Sequence, residues 1–225
     1  MKSIYEQALG EKFKQLHPRV QERFGFSSRD NLACIGTGTM DELWHGRAYT
    51  LPFLYLGSVR RIMFPERGRS VPFTISNYAY VDEYGRETVT WIRNFATRKP
   101  RRFDAYMIFS RQRARMVDYL GTHQHLAVDI DLSVDGRGGL RLRSGEQRFY
   151  EGWVEFSFPP LFSGVADVCE WYEEDDQRFH IEVSVANQTW GPLFGYRGSF
   201  DTEWRTVDRA EIPPEILPVR CERRE

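Results

Sequence analysis

From Val71 to Trp204 the chain repeats one texture: short runs with apolar residues at every second position, separated by clusters rich in Gly, Asp and Ser. A period of two belongs to pleated strands, and no helix-length crossover interrupts the series, which argues against a parallel α/β sheet. The pattern predicts strands at 72–81, 87–95, 102–110, 114–120, 123–133, 138–143, 147–157, 167–173, 178–186 and 194–204. "DEYGRE", "VDGRGG", "RSGE" and "EEDDQ" supply the hairpin turns between them. The expected fold is therefore mainly β (β-rich α+β): a strongly curved antiparallel sheet or barrel-like meander covered by N-terminal helices.

Composition agrees. Aromatic residues make up 15% of the 225 positions, and large rings pack well on pleated surfaces. Lys plus Arg number 31 against 32 Asp plus Glu, so no global field draws the chain to nucleic acid or anionic lipid. Three widely separated cysteines, Cys34, Cys169 and Cys221, suggest neither a disulfide framework nor a structural zinc site, and a reducing cytoplasm is the expected home. No apolar run reaches membrane-spanning length, so no transmembrane segment is expected.

Ahead of the strands, Ile4, Ala8, Leu9, Phe13 and Leu16 form a helical stripe that Ser3 can cap, and Pro18 opens a second short helix through Phe24. This brace over 1–25, a helix over 50–64 and the strands make one β-rich unit over 1–211, with 212–225 as an extended tail. The 50–64 helix, with Leu51, Leu54, Tyr55, Val59, Ile62 and Met63 at helical spacing, reads as core-packing rather than as a mobile lid or a membrane-surface helix, since Arg60 and Arg61 alone make a weak basic face. "GTGTMDE" lacks the third glycine of a dinucleotide-binding turn and reads as a Gly-containing strand or bend.

Two constellations carry possible chemistry. In "GTHQHLAVDIDLSVDG", residues two apart on a strand lie on one face about 6.6 Å apart, which puts His123, His125, Asp129 and Asp131 together and Leu126, Val128, Ile130 and Leu132 opposite. His123 and His125 are candidate metal ligands, and the four together are candidate catalytic groups; a hydrogen-bonded sheet face is the alternative. In the second, Arg93 and Arg102 could anchor an acidic head group, with Tyr78, Trp91, Phe103, Tyr106, Phe149 and Trp153 as apolar walls.

Across "GTGTMDELWHG", "RRIMFPERG", "VPFTISNYAYVDEYGRETVTWIRNF", "RRFDAYMIFS", "DYLGTHQHLAVDIDL", "LRLRSGEQRFYEG" and "GPLFGYRGSF" the chain resembles the bacterial domain of unknown function 4166, the domain type found at the C-terminus of YndJ-like proteins. The resemblance runs from about the first helix to Trp204. It implies no catalytic residues and no cofactor. Fusion of such domains to membrane segments or dehydrogenase-like domains implies an accessory module for an apolar or lipid-like substrate.

The leading expectation is a module binding a small apolar or lipid-like ligand with an acidic head in a β-walled pocket closed by the N-terminal and 50–64 helices. A metal-dependent or acid-base enzyme on the His123–Asp131 face, and a protein-interaction module, stand as alternatives. The direction in which that face points separates the first two.

Overall fold

The structure, a computed structural model, describes residues 2–159 and 163–225. Alternating residues build β1 (Leu32–His45), β2 (Gly68–Val81), β3 (Glu87–Phe95), β4 (Arg101–Ser110), β5 (Arg115–Leu120), β6 (Leu126–Val134), β7 (Leu140–Glu151), β8 (Val154–Ser157), β9 (Val165–Glu173), β10 (Arg178–Asn187) and β11 (Gly191–Thr206). All pairings are antiparallel, in the order β6-β5-β4-β3-β2-β1-β11-β10-β9-β7-β8, and β6 also pairs with β7. That last pairing closes ten strands into a barrel, leaving β8 as an outer hairpin partner of β7. Closure removes the open sheet edges of the ten.

Two features depart from the predicted strands. β1, absent from the predicted set, lies between β2 and β11. Its inner face carries Gly36 and Gly38 because nothing larger fits there: a Cβ on Gly36 would stand 2.5 Å from Ile75 Cγ2, and one on Gly38 would stand 2.1 Å from the Ser199 carbonyl oxygen. The glycines of "GTGT" thus admit Phe200 to the core, which is the strand reading rather than the nucleotide one. "RSGE" is likewise no turn. β7 runs through it, and an irregularity opposite Val128 and Ile130 absorbs the extra residue as a bulge. The chain reverses at Gly152, whose φ is 56°.

The N-terminal helical stretch divides. In α1 (Ile4–Leu9) the Ser3 hydroxyl accepts from Glu6 N, and Ser3 N donates to the Glu6 carboxylate. Gly10, at φ 56°, ends that helix, and a 3-10 turn over Gly10–Gln15 leads to α2 (Pro18–Phe24). Ile4, Tyr5, Leu9, Phe13, Val20 and Phe24 are buried in the same cluster as the inner-face residues Trp91, Met107, Val128 and Ile130. The segment therefore enters the barrel instead of lying over it. Truncating a ring such as Phe24 or Trp91 in so dense a core costs about 3–5 kcal/mol.

Alternating strand direction defines two ends. The N-terminal segment and the turns at 82–86, 111–114, 135–139 and 174–177 lie at one end; the connections 46–67, 96–100, 121–125, 152–153 and 188–190 lie at the other. The 46–67 connection holds α3 (Leu51–Val59), of whose residues only Leu54 is buried. The expectation of a core-packing helix here is corrected: α3 sits on the far rim with most of its side chains in solvent, and the core contact beyond it comes from Phe64, wedged between Phe95 and Phe194. Outside the barrel, Ile212 and Ile216 pack on outward-facing Tyr78, Tyr80, Ile92 and Tyr106, and the C-terminal residues continue along that wall, with Glu222 N donating to Gln124.

Candidate functional site

Inside the barrel the strand alternation places several polar groups where apolar ones would be expected. Asp118 falls in line with Met116 and Leu120, Glu170 with Val168 and Tyr172, Asn77 with Phe73 and Ile75, and Arg93 with Trp91 and Phe95. α2 adds Arg23 from the N-terminal end. Each of these five side chains is almost fully buried.

Two linked sets result. Arg23 contacts Glu170, donates to Asn77 Oδ1 at 2.9 Å and approaches Cys34 Sγ at 3.0 Å. Arg93 donates to the Tyr196 hydroxyl at 3.1 Å and lies 3.7 Å above the Phe103 ring. Close by, Trp91 Nε1 donates to the Tyr5 hydroxyl at 2.7 Å, tying the N-terminal helix to the wall. Burial pushes the Asp118 carboxyl up to about 7, against the opposing pull of Arg93 and the Tyr106 backbone. Burial also raises Glu170, although Arg23 works the other way. Among the described residues, Arg93 Nε, Asp118 Oδ1 and Glu170 Oε2 have no hydrogen-bond partner. A buried polar atom left so costs about 1–3 kcal/mol, so several together mark either a functional cavity or stored instability.

The residues expected to form a pocket do not gather in one place. Arg93, Trp91 and Phe103 face the interior. Tyr78 and Tyr106 face outward under Ile212 and Ile216. Arg102 is also on the outer wall, where it pairs with Asp104 and reaches the Glu215 carbonyl. Phe149 lies at the far rim between His125 and Phe156, and Trp153, at the tip of the β7–β8 hairpin, is 94% exposed. There the β7–β8 hairpin projects beyond the closed wall.

The His–Asp face is also divided. β6 begins at Leu126, and Gln124 at φ 52° turns the chain just before it, so His123 and His125 stand outside the strand alternation. Their rings stack 5.4 Å apart rather than converging. His125 Nε2 accepts from Arg60 at 2.9 Å, while its Nδ1 lies 2.8 Å from Glu151; burial lowers its pKa. Asp129 points outward from the barrel into Arg148, Arg113 and Arg115, at 2.6, 2.9 and 3.3 Å. Burial opposes ionisation there, yet Arg148 and Arg113 hold its carboxyl below the usual range. Asp131 is exposed opposite Arg143. Among the described residues no three His, Cys, Asp or Glu side chains are placed to hold a metal ion.

A match to the domain of unknown function DUF4166 spans residues 16–200. The chain belongs to the DUF4166 family. The uncharacterised protein YndH of Bacillus subtilis strain 168 is 34% identical to the chain over 206 residues, covering 91% of this chain and 99% of YndH. No solved structure matches the chain. The matched stretch of this DUF4166 domain contains Arg23, Arg93, Asp118 and Glu170 but ends before the C-terminal segment that covers Tyr78 and Tyr106.

Sequence reasoning anticipated Arg93, Trp91 and Phe103 but not Arg23, Asn77, Asp118 or Glu170. The signal was there: a charged residue in phase with the apolar face of an alternating strand, as in "MVDYL" and "VADVCEWY".

Proposed function

We propose that this domain is a binding module for a small, largely apolar molecule with an acidic head group, received in the barrel interior at Arg93. One observation carries the reading: a guanidinium buried against Trp91 and Phe103 whose Nε has no hydrogen-bond partner among the described residues. Burial pushes the Asp118 carboxyl up to about 7, so near neutral pH it supplies only part of a negative charge beside Glu170 against the charges of Arg23 and Arg93. An anionic head would complete that balance, and guanidinium forks bind carboxylates bidentately. A cleft of about 190 Å³ between α2 and the ends of β9–β11, lined in part by Arg23, Tyr172, Phe179 and Trp204, opens at the Arg23 end of the interior. The interior rings and α1 side chains fill the space beyond, so ligand entry displaces the N-terminal segment.

No described helix is long and apolar enough to cross a membrane; a cytoplasmic location and kinship with the C-terminal domain of YndJ-like proteins fit this reading. Native mass spectrometry of the purified chain and thermal unfolding with added medium-chain fatty acids test it. A ligand at a hundred times its Kd stabilises by about 2.7 kcal/mol, which raises Tm by about 5–10 °C at this size. Arg93→Gln should abolish the rise. No co-purifying mass and no Tm change overturn the proposal.

A further inference from the structure

The far rim of the barrel combines two features that a protein surface rarely shows together. α3 is apolar around its whole circumference, a composition suited to a core or a bilayer, yet Phe53, Leu56 and Val59 are 67%, 71% and 77% exposed. Tyr55 beside them, Trp153 on the β7–β8 hairpin and Trp190 in the β10–β11 connection are exposed as well. These residues come from three separate connections, and strand direction brings all three to one end. Of the large apolar side chains exposed among the described residues, Tyr84 lies at the opposite end and Val219 on the outer wall.

Charge is segregated along with them. The far-end connections carry Arg47, Arg60, Arg61, Arg67, Arg98 and Lys99, all exposed, against Glu66 as their one acid, itself paired with Arg101. The whole chain has a net charge of −1, and the turns at the opposite end carry more acids than bases. Apolar residues of a helix, tryptophans at loop tips and surrounding arginines match the three layers of an anionic bilayer surface: acyl boundary, interface and phosphate plane.

We propose that the far rim docks on anionic membrane surfaces, with α3 and the two tryptophan-bearing connections entering the interface and the basic residues meeting the phosphates. This surface is separate from the interior Arg93 site and does not rest on the ligand-binding reading.

The test is co-sedimentation of the full chain, at low salt, with vesicles of phosphatidylcholine containing phosphatidylglycerol and with vesicles of phosphatidylcholine alone. Pelleting with the anionic vesicles, with a blue shift in tryptophan emission, is expected. Arg98→Gln and Lys99→Gln should each weaken partitioning about five-fold. Leu56→Ser with Trp153→Ser should weaken it about ten-fold or more while leaving the circular dichroism and melting unchanged, because these side chains are in solvent. Arg93→Gln should bind vesicles as the parent does, which separates failure here from failure of the interior site. Absence of pelleting, indifference to the apolar substitutions, or a stable dimer that Leu56→Ser dissociates would overturn the proposal.

Discussion

Replacing Asp118 by Asn should stabilise the protein, and by an amount that depends on pH. In the folded chain the Asp118 carboxyl titrates at about 7, against an ordinary value of 3.8. A raised folded pKa means that folding takes up a proton between those two values. The stability associated with the neutral acid is fully present below about pH 4 and is lost as pH rises through about 7. Each pKa unit corresponds to about 1.4 kcal/mol, so the full loss above pH 7 is about 4 kcal/mol. Asn has the shape of the neutral acid and cannot ionise. Urea unfolding of both proteins between pH 4 and pH 8 should therefore show near-equal stability at the acid end and a gap widening to about 4 kcal/mol in favour of Asp118→Asn. A gap that stays flat with pH, or a variant less stable at pH 8, would show that the carboxylate is ionised and paired with Arg93, and the reasoning would fail.

Two further substitutions probe the interior. Glu170→Gln leaves the Arg23 guanidinium buried without its counter-charge and should cost about 3–5 kcal/mol in urea unfolding at neutral pH, much of it recovered by adding Arg23→Met; a loss under about 1 kcal/mol would mean that Arg23 finds water or another acid. Gly38→Ala drives a methyl group into the Ser199 carbonyl and Phe200 and should cost about 2 kcal/mol or more by thermal unfolding, whereas an unchanged Tm would show that the β1–β11 register slides to admit it.

Strand periodicity made most of the barrel wall legible because each wall strand keeps its apolar residues in phase with the interior. β3 was located to the residue, and most other boundaries fell within a few positions. The pattern broke where local chemistry served packing instead of alternation. Gly36 and Gly38 erased the apolar signal of β1 to make room for Phe200, and Gly145 looked like a turn residue while holding a bulge. The helix predicted from Ser3 through Leu16 was split by Gly10, whose positive φ the stripe of apolar residues did not reveal. α3 was misjudged because apolar composition normally means burial. Of the residues named for the pocket, Arg93, Trp91 and Phe103 face the interior, whereas Arg102 and Tyr106 alternate with Phe103 on β4 and Tyr78 sits in the outward phase of β2. The Arg23–Glu170 contact joins residues 147 positions apart, and no local pattern announces such a meeting.

β1 draws one neighbour from each end of the remaining chain. Its partner β2 follows after a single connection, but Leu32 also pairs with Thr206, in the last strand. During synthesis at about 5–20 residues per second, the far side of β1 waits roughly ten to thirty seconds before β11 leaves the ribosome. For that interval the nascent chain carries an unpaired fourteen-residue edge, and the N-terminal helix has no finished barrel to enter. The ring can shut only once β11 has emerged, which makes that strand the one whose loss or delay would leave β1 and β10 as open edges.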